Sequence, residues 1–133
     1  MDRIKAILEG DRLLQHFGMQ VVEARDGYAK VTATVQEGGL NAHRIGHGAL
    51  IFAVADVAFA LAVNAARDAV GVQWSVNMFR AARLGEMLTG EARTIHAGRQ
   101  SAVCELTVTA GDGRLLARGQ ATALPRAPEP ARG

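Results

Sequence analysis

A single carboxylate, Asp56, interrupts the most apolar stretch of the chain, HGALIFAVADVAFALAVN over residues 47–64. An acid in such surroundings is costly to ionise, so it must find a partner, take up a raised pKa or stand at a cavity wall. Carboxyls placed this way serve as general bases and nucleophiles. The bland alternative is an Asp on a polar seam, hydrogen-bonded to a neighbouring loop, and this residue alone leaves both readings open. His47-Gly48 opens the same stretch. A helix starting there has free N–H groups at the positive end of its dipole, and a glycine lets a ligand approach the backbone. That suits a carbonyl oxygen that becomes negative in a reaction. Equally, Gly48 could merely begin the helix while His47 packs beneath it. Asn41 and His43, just upstream, could bind or orient a substrate, or could form a turn of the kind Asn favours.

Spacing adds a constraint. Gly48 and Asp56 are eight residues apart, which is about 12 Å along a helix axis. Both cannot touch one reacting carbon from a single chain. If both act on one substrate, two copies of the helix must meet across a dimer interface.

Other residues carry less. His43 and His47 are four apart, but no Cys, His or carboxylate completes a metal-ligand pattern, and no metal site is expected. Cys104 lies in an alternating segment as a small core residue. His16 and His96 lack partners, and Trp74 and Phe79 read as packing groups. Gln73, Ser75 and Asn77 share the strand face opposite to Trp74, so one of them could line a pocket. Arg80, Arg83, Arg99 and Lys30 could meet phosphates, although scattered basic residues are usually solvated.

The elements that must position these groups follow from periodicity. Residues 3–16 have helical spacing, interrupted at Gly10. Residues 18–36 read as a hairpin turning at Asp26-Gly27, and 37–46 as a polar loop. Residues 47–64 are rich in Ala, Leu and Phe, with neither Pro nor Gly between 49 and 63, so they form a helix. Apolar all round, that helix should be buried, and its apolar run of about 15 residues is too short for a membrane span. Strands are expected at about 70–80, 87–96, 101–110 and 114–124. One buried helix and about six antiparallel strands make an α+β fold, with the sheet wrapped round the helix.

Composition agrees with one domain. The 133 residues are 49% hydrophobic and 21% charged, which excludes a disordered chain. Residues 1–124 form that domain, and 125–133, with Pro125, Pro128 and Pro130, read as a frayed tail. A net charge of +2 with no basic run gives no nucleic-acid footprint. The lone Cys104 and an N-terminus without a signal-peptide core point to the cytoplasm. A strongly apolar chain this short can call on a second subunit to cover what it cannot bury.

Together, Asn41-Ala42-His43, His47-Gly48-Ala49, Ile51-Phe52, Ala55-Asp56, Ala58-Phe59-Ala60 and Asn64 resemble the hotdog-fold acyl-CoA thioesterases of the phenylacetic-acid-degradation (PaaI-type) group. Their pattern reads N-G-H-x-x-x-H-G-G-x-I-F-x-L-A-D-x-A-F-A-x-A-x-N. Phe79-Arg80 to Gly85-Glu86, His96 to Arg99 and Asp112 to Ala117 resemble later parts of the same family, so the likeness covers about residues 12–124. It implies a hotdog fold, an antiparallel sheet around one long helix, assembled as homodimers and commonly homotetramers. It implies hydrolysis of an acyl-CoA, often an aromatic one such as phenylacetyl-CoA or hydroxyphenylacetyl-CoA, with no cofactor beyond the coenzyme A of the substrate. The catalytic carboxylate falls on Asp56, the thioester carbonyl on the Gly48 N–H, and Asn41 and His47 on positions lining the same pocket. Candidate substrate-binding residues are His43, Ala49, Asn64, Gln73, Ser75, Arg80 and Arg99. Of these, Gln73 and Ser75 are candidates for a strand residue assisting Asp56. The departures are Ala49 for the second glycine, Ala81 for a proline after Arg80, and a segment between Asn64 and Trp74 about one residue shorter than in some relatives. Two other readings are a non-catalytic acyl-CoA-binding hotdog module and a hotdog dehydratase, which would want a His paired with an acid.

Overall fold

The structure, a computed structural model, describes residues 2–127. Two short helices open it, α1 (Asp2–Gly10) and α2 (Arg12–His16). Asp11 separates them and caps α2 by accepting the Leu14 N–H at 3.0 Å. The hairpin expected in the next segment is present: β1 (Gln20–Arg25) pairs antiparallel with β2 (Tyr28–Thr34) across Asp26-Gly27. A 3-10 turn (Glu37–Gly39) and a short loop lead into α3 (Gly48–Asn64). Four strands follow, β3 (Ala69–Met78), β4 (Met87–Ala97), β5 (Ala102–Ala110) and β6 (Leu115–Pro125). They join β1 and β2 in one antiparallel sheet of order β1-β2-β4-β5-β6-β3.

The helix lies on one face of this sheet, mainly against β4 and β2. Alternation explains the fit: Ala29, Val31, Ala33, Leu88, Ala92, Cys104, Leu106 and Val108 point inward and are buried with Leu50, Val54, Phe59 and Leu61 of α3. At Gly90 the approach is so close that an added Cβ would lie 2.6 Å from a Val54 methyl and 2.7 Å from the Val54 carbonyl oxygen. Among the described residues no polar or charged side chain is fully buried. Hydrophobic burial, at roughly 1.5–3 kcal/mol for a large side chain, therefore holds the helix in place.

Two expectations need correction. Helix α3 is not covered all round: Gly48, Phe52, Asp56, Ala60 and Asn64, spaced four apart, form a half-buried line along it. Sequence reads this helix as uniformly apolar because Phe and Ala suit an opening as well as a core. The second correction concerns Pro125, expected in the tail. It ends β6 opposite Ala69, and the Arg126 N–H donates to the Asp68 carbonyl at 2.9 Å. A proline is tolerated there because it sits at the very end of the strand. Pro128 and Pro130 lie outside the described residues. No helix among those described is long and apolar enough to cross a membrane.

Strand β3 is an outer strand of the sheet. It carries no charged residue and no proline, and Val70, Val72 and Met78 are each nearly half exposed. Bare apolar edges of this kind are usually covered by a partner strand.

Candidate active site

The segment before α3 is built around Asn41. Its side-chain oxygen accepts the His43 N–H at 2.9 Å and the Ile45 N–H at 3.3 Å, while its own N–H donates to the Ile45 carbonyl. Asn41 is thus the turn-former, and His43 is an exposed residue of that turn. The turn delivers the chain to His47, whose N–H donates to the Gly39 carbonyl at 2.7 Å. His47 is the helix N-cap: its Nδ1 accepts the Ala49 N–H at 2.9 Å, which places the ring hydrogen on Nε2. The cap occupies the Ala49 N–H and leaves the Gly48 N–H, first in the helix, without a protein partner among the described residues.

Gly48 lines a groove of about 300 Å³ together with Asn41, Ile51, Met78, Phe79, Arg80 and Ala81. Arg80 donates to the Leu115 carbonyl at 3.3 Å. Phe79, expected to pack, is 53% exposed at the strand end, where no element covers it.

Asp56 stands elsewhere, in a second pocket of about 300 Å³ with Phe59, Ala60, Val63, Asn64, Ala69 and Trp74. Its Oδ1 accepts the Trp74 indole N–H at 2.9 Å. Burial pushes the carboxyl above its ordinary range; the Trp74 bond opposes the rise, and the charge of Asp11 adds to it. Asn64 turns back on the helix end, donating to the Ala60 carbonyl and accepting the Ala69 N–H, so it fixes the entry to β3.

One chain therefore presents two separate groups on the same open line of α3, an N–H at its start, partnerless among the described residues, and a carboxylate two turns on. Asn41, Gly48 and Arg80 share the pocket of the first, and Asp56 and Asn64 that of the second. Ala49 lies beside the first, exposed. Gln73 and Ser75 pair with Thr122 and Gln120 on the outer face of the sheet, across from their own chain's Asp56. Arg99 sits apart, exposed in the β4–β5 turn with His96. Trp74 is the residue that sequence reasoning passed over as packing. The signal was available: a half-buried indole N–H needs an acceptor, and Asp56 is the acid within the apolar segment.

Among the described residues no three His, Cys, Asp or Glu side chains gather as a metal site. Cys104 is buried against Thr94, whose Oγ1 lies 3.3 Å from its Sγ, and burial pushes the thiol pKa up. Native protein should therefore give no reaction with a thiol-trapping dye, because the thiolate is the reactive form, and one equivalent on unfolding. Rapid labelling of native protein would show that β4 and β5 part readily.

A long helix laid on a six-stranded antiparallel sheet, with a carboxylate midway along it, is the hotdog fold. Residues 43–117 match the Thioesterase superfamily, and the chain belongs to that family, as a PaaI-type hotdog thioesterase. It is similar to the acyl-coenzyme A thioesterase PaaI of Escherichia coli strain K12, with 33% identity over 104 residues, 77% of this chain and 74% of that one. The structure of the E. coli PaaI protein from the phenylacetic acid degradation operon superposes with a TM-score of 0.91 at 28% identity, covering 95% of this chain and 92% of the other. A hypothetical thioesterase protein of Streptococcus pneumoniae TIGR4, solved with coenzyme A, superposes with a TM-score of 0.78 at 27% identity, covering 84% of this chain and 91% of the other. The chain is accordingly an acyl-CoA thioesterase.

Proposed function

We propose that this enzyme hydrolyses aromatic acyl-CoA thioesters, phenylacetyl-CoA or hydroxyphenylacetyl-CoA, to the free acid and coenzyme A. The observation that carries this reading is the Asp56 pocket, where the carboxylate shares its walls with Phe59 and Trp74. Aromatic walls favour an aryl group by edge-to-face contact, worth about 0.5–1.5 kcal/mol per pair beyond area burial. The relative drawn from a phenylacetic acid degradation operon supports the same substrate class.

The site works as a pair of half-sites. Two copies joined through their exposed β3 edges bring the open lines of two α3 helices side by side, and the Gly48 of one chain then faces the Asp56 of the other. The apolar, uncharged edge of β3 supports this homodimer, and two dimers make a homotetramer. The thioester oxygen rests on the Gly48 N–H, with His47 holding the helix start and Asn41 the turn before it. Asp56 then takes a proton from water as the water oxygen attacks the thioester carbon, or attacks that carbon itself. Either way the C–S bond breaks and the sulfur leaves with the electron pair. In the first route Asp56 passes its proton on to the coenzyme A thiolate; in the second the thiolate takes the proton released by the water that follows. In the second route, water cleaves the resulting anhydride and frees Asp56. His43, Ala49 and Asn64 border the acyl and pantetheine path, and Arg80 and Arg99 meet the phosphates of coenzyme A. Coenzyme A enters only as part of the substrate, and these steps call on no further cofactor or metal. The buried free thiol of Cys104 supports a cytoplasmic location.

A panel of acyl-CoAs followed by thiol release tests the substrate class. The aryl-acetyl thioesters should exceed acetyl- and hexanoyl-CoA in kcat/KM by about tenfold or more, the range a shaped apolar pocket gives. A preference for the aliphatic chains would overturn the aromatic assignment.

A further inference from the structure

We propose that Trp74 is a positioning residue for the Asp56 carboxylate, fixing Oδ1 so that Oδ2 is the oxygen that reacts. The inference rests on the reading of Asp56 as the reacting group. It begins with the 2.9 Å bond from the indole N–H to Oδ1. An indole donates and never accepts, so it can hold a carboxylate oxygen but cannot take a proton from water or from Asp56. With one Oδ1 lone pair held by the indole, Oδ2, which accepts no hydrogen bond among the described residues, is the more basic oxygen and the one better placed to receive a proton or attack a carbon.

The surroundings fix the indole itself. Phe52 and Phe59 stand edge-on to it, each with ring centroids 6.0 Å away. Beneath it lies Gly71, where an added Cβ would come within 2.4 Å of the indole Cζ2 and 2.9 Å of Phe59 Cε2. Strand β3 carries a bulge between Gly71 and Gln73. The bulge shifts the alternation by one, so that Gly71 and Trp74 both face inward, opposite the small buried residues Ala123 and Ala121. Bulge, glycine and two phenylalanines together seat one ring on one carboxylate oxygen. Such outer support holds a reacting group to within a fraction of an ångström.

The charged groups around Asp56 are few. Strand β3 has no ionisable side chain along its length; among the described residues Asp11, at the start of α2, is the charge that acts on Asp56, while Arg3 and Asp68 pair with each other beyond Asn64. Loss of the indole N–H therefore removes the one interaction that favours the charged form, and the carboxyl must become harder to ionise.

The test uses Trp74→Phe, which keeps an aromatic ring and deletes the donor. We expect kcat to fall about 10- to 100-fold, as loss of alignment costs, with KM changed less than about twofold. The acid limb of the pH–kcat/KM profile should move to higher pH, a shift that a purely structural role would not produce. Gly71→Ala, which displaces the indole without deleting it, should move the profile in the same direction. If Trp74→Phe folds poorly, replacing the chain's single tryptophan by its benzothienyl analogue preserves the shape and removes only the N–H. Trp74 fluorescence supplies an independent readout: it should titrate with the acid limb in the wild type and lose that transition in Asp56→Asn. Variant profiles that superimpose on the wild type, or Trp74 emission that ignores Asp56, overturn the inference. An active Asp56→Asn enzyme would instead overturn the catalytic reading beneath it.

Discussion

Asp56→Asn should lower kcat by about 10²–10⁴-fold, the range for loss of a positioned base, while the protein stays folded. The amide oxygen can still accept the Trp74 N–H, so the pocket keeps its shape and the substrate its KM. Stability should move the other way. The folded-state pKa of Asp56 is raised, meaning that the native protein holds the neutral form more tightly than the unfolded chain does. Ionisation therefore costs the folded state stability at neutral pH. That cost is present above the folded pKa and disappears as pH falls below the ordinary aspartate value of about 3.9. Thermal unfolding should thus find the Asp56→Asn variant more stable than wild type at pH 7, with the gap closing in acid. A variant that keeps wild-type turnover would remove Asp56 from the mechanism. One that is inactive but less stable at pH 7 would point to a structural carboxylate.

Gly48→Pro isolates the other half-site. Proline at the first position of a helix removes one N–H and fits the backbone, and the preceding His47, at φ −63° and ψ 139°, is in the region a following proline demands. The flexible Met78 sulfur, 3.2 Å from where a Cβ would sit, must shift slightly. The helix should form, and kcat should drop about 10²–10³-fold, equivalent to about 2.7–4 kcal/mol for one oxyanion donor. The same pair of variants tests the composite site. The eight residues from Gly48 to Asp56 span about 12 Å of helix, too far for one thioester. Co-refolding equal amounts of the Asp56→Asn and Gly48→Pro chains should then restore activity, because half of the random dimers contain one site with both groups intact. Recovery to about a quarter of wild type is expected, given one good site in two per mixed dimer. Absence of recovery in a mixture shown to contain mixed dimers would place both groups of a site in one chain.

Much of this arrangement is legible in the residues. The isolation of Asp56, the break at Gly10, the Asp26-Gly27 turn and the four later strands follow from local periodicity, and strand ends differ from expectation by a residue or two. Around Asn41 and His47 the structure adds contacts that no pattern announces: Asn41 closes a turn, and His47 caps the helix. The open line on α3 was hidden because hydropathy measures what a side chain tolerates, not what stands next to it.

The sequence by itself determined which groups could do chemistry and how far apart they stand along one helix. Residue type and helical rise are local properties that need no neighbour. Only the tertiary structure decided which face of β3 meets that helix. Alternation in a strand has period two and no absolute phase, so reading it from Trp74 or from Gln73 is equally consistent until the register with β6 is set. The bulge beside Gly71 then shifts that phase within the strand. It turns Trp74 inward onto Asp56 and leaves Gln73 and Ser75 on the opposite face, and no local pattern announces it.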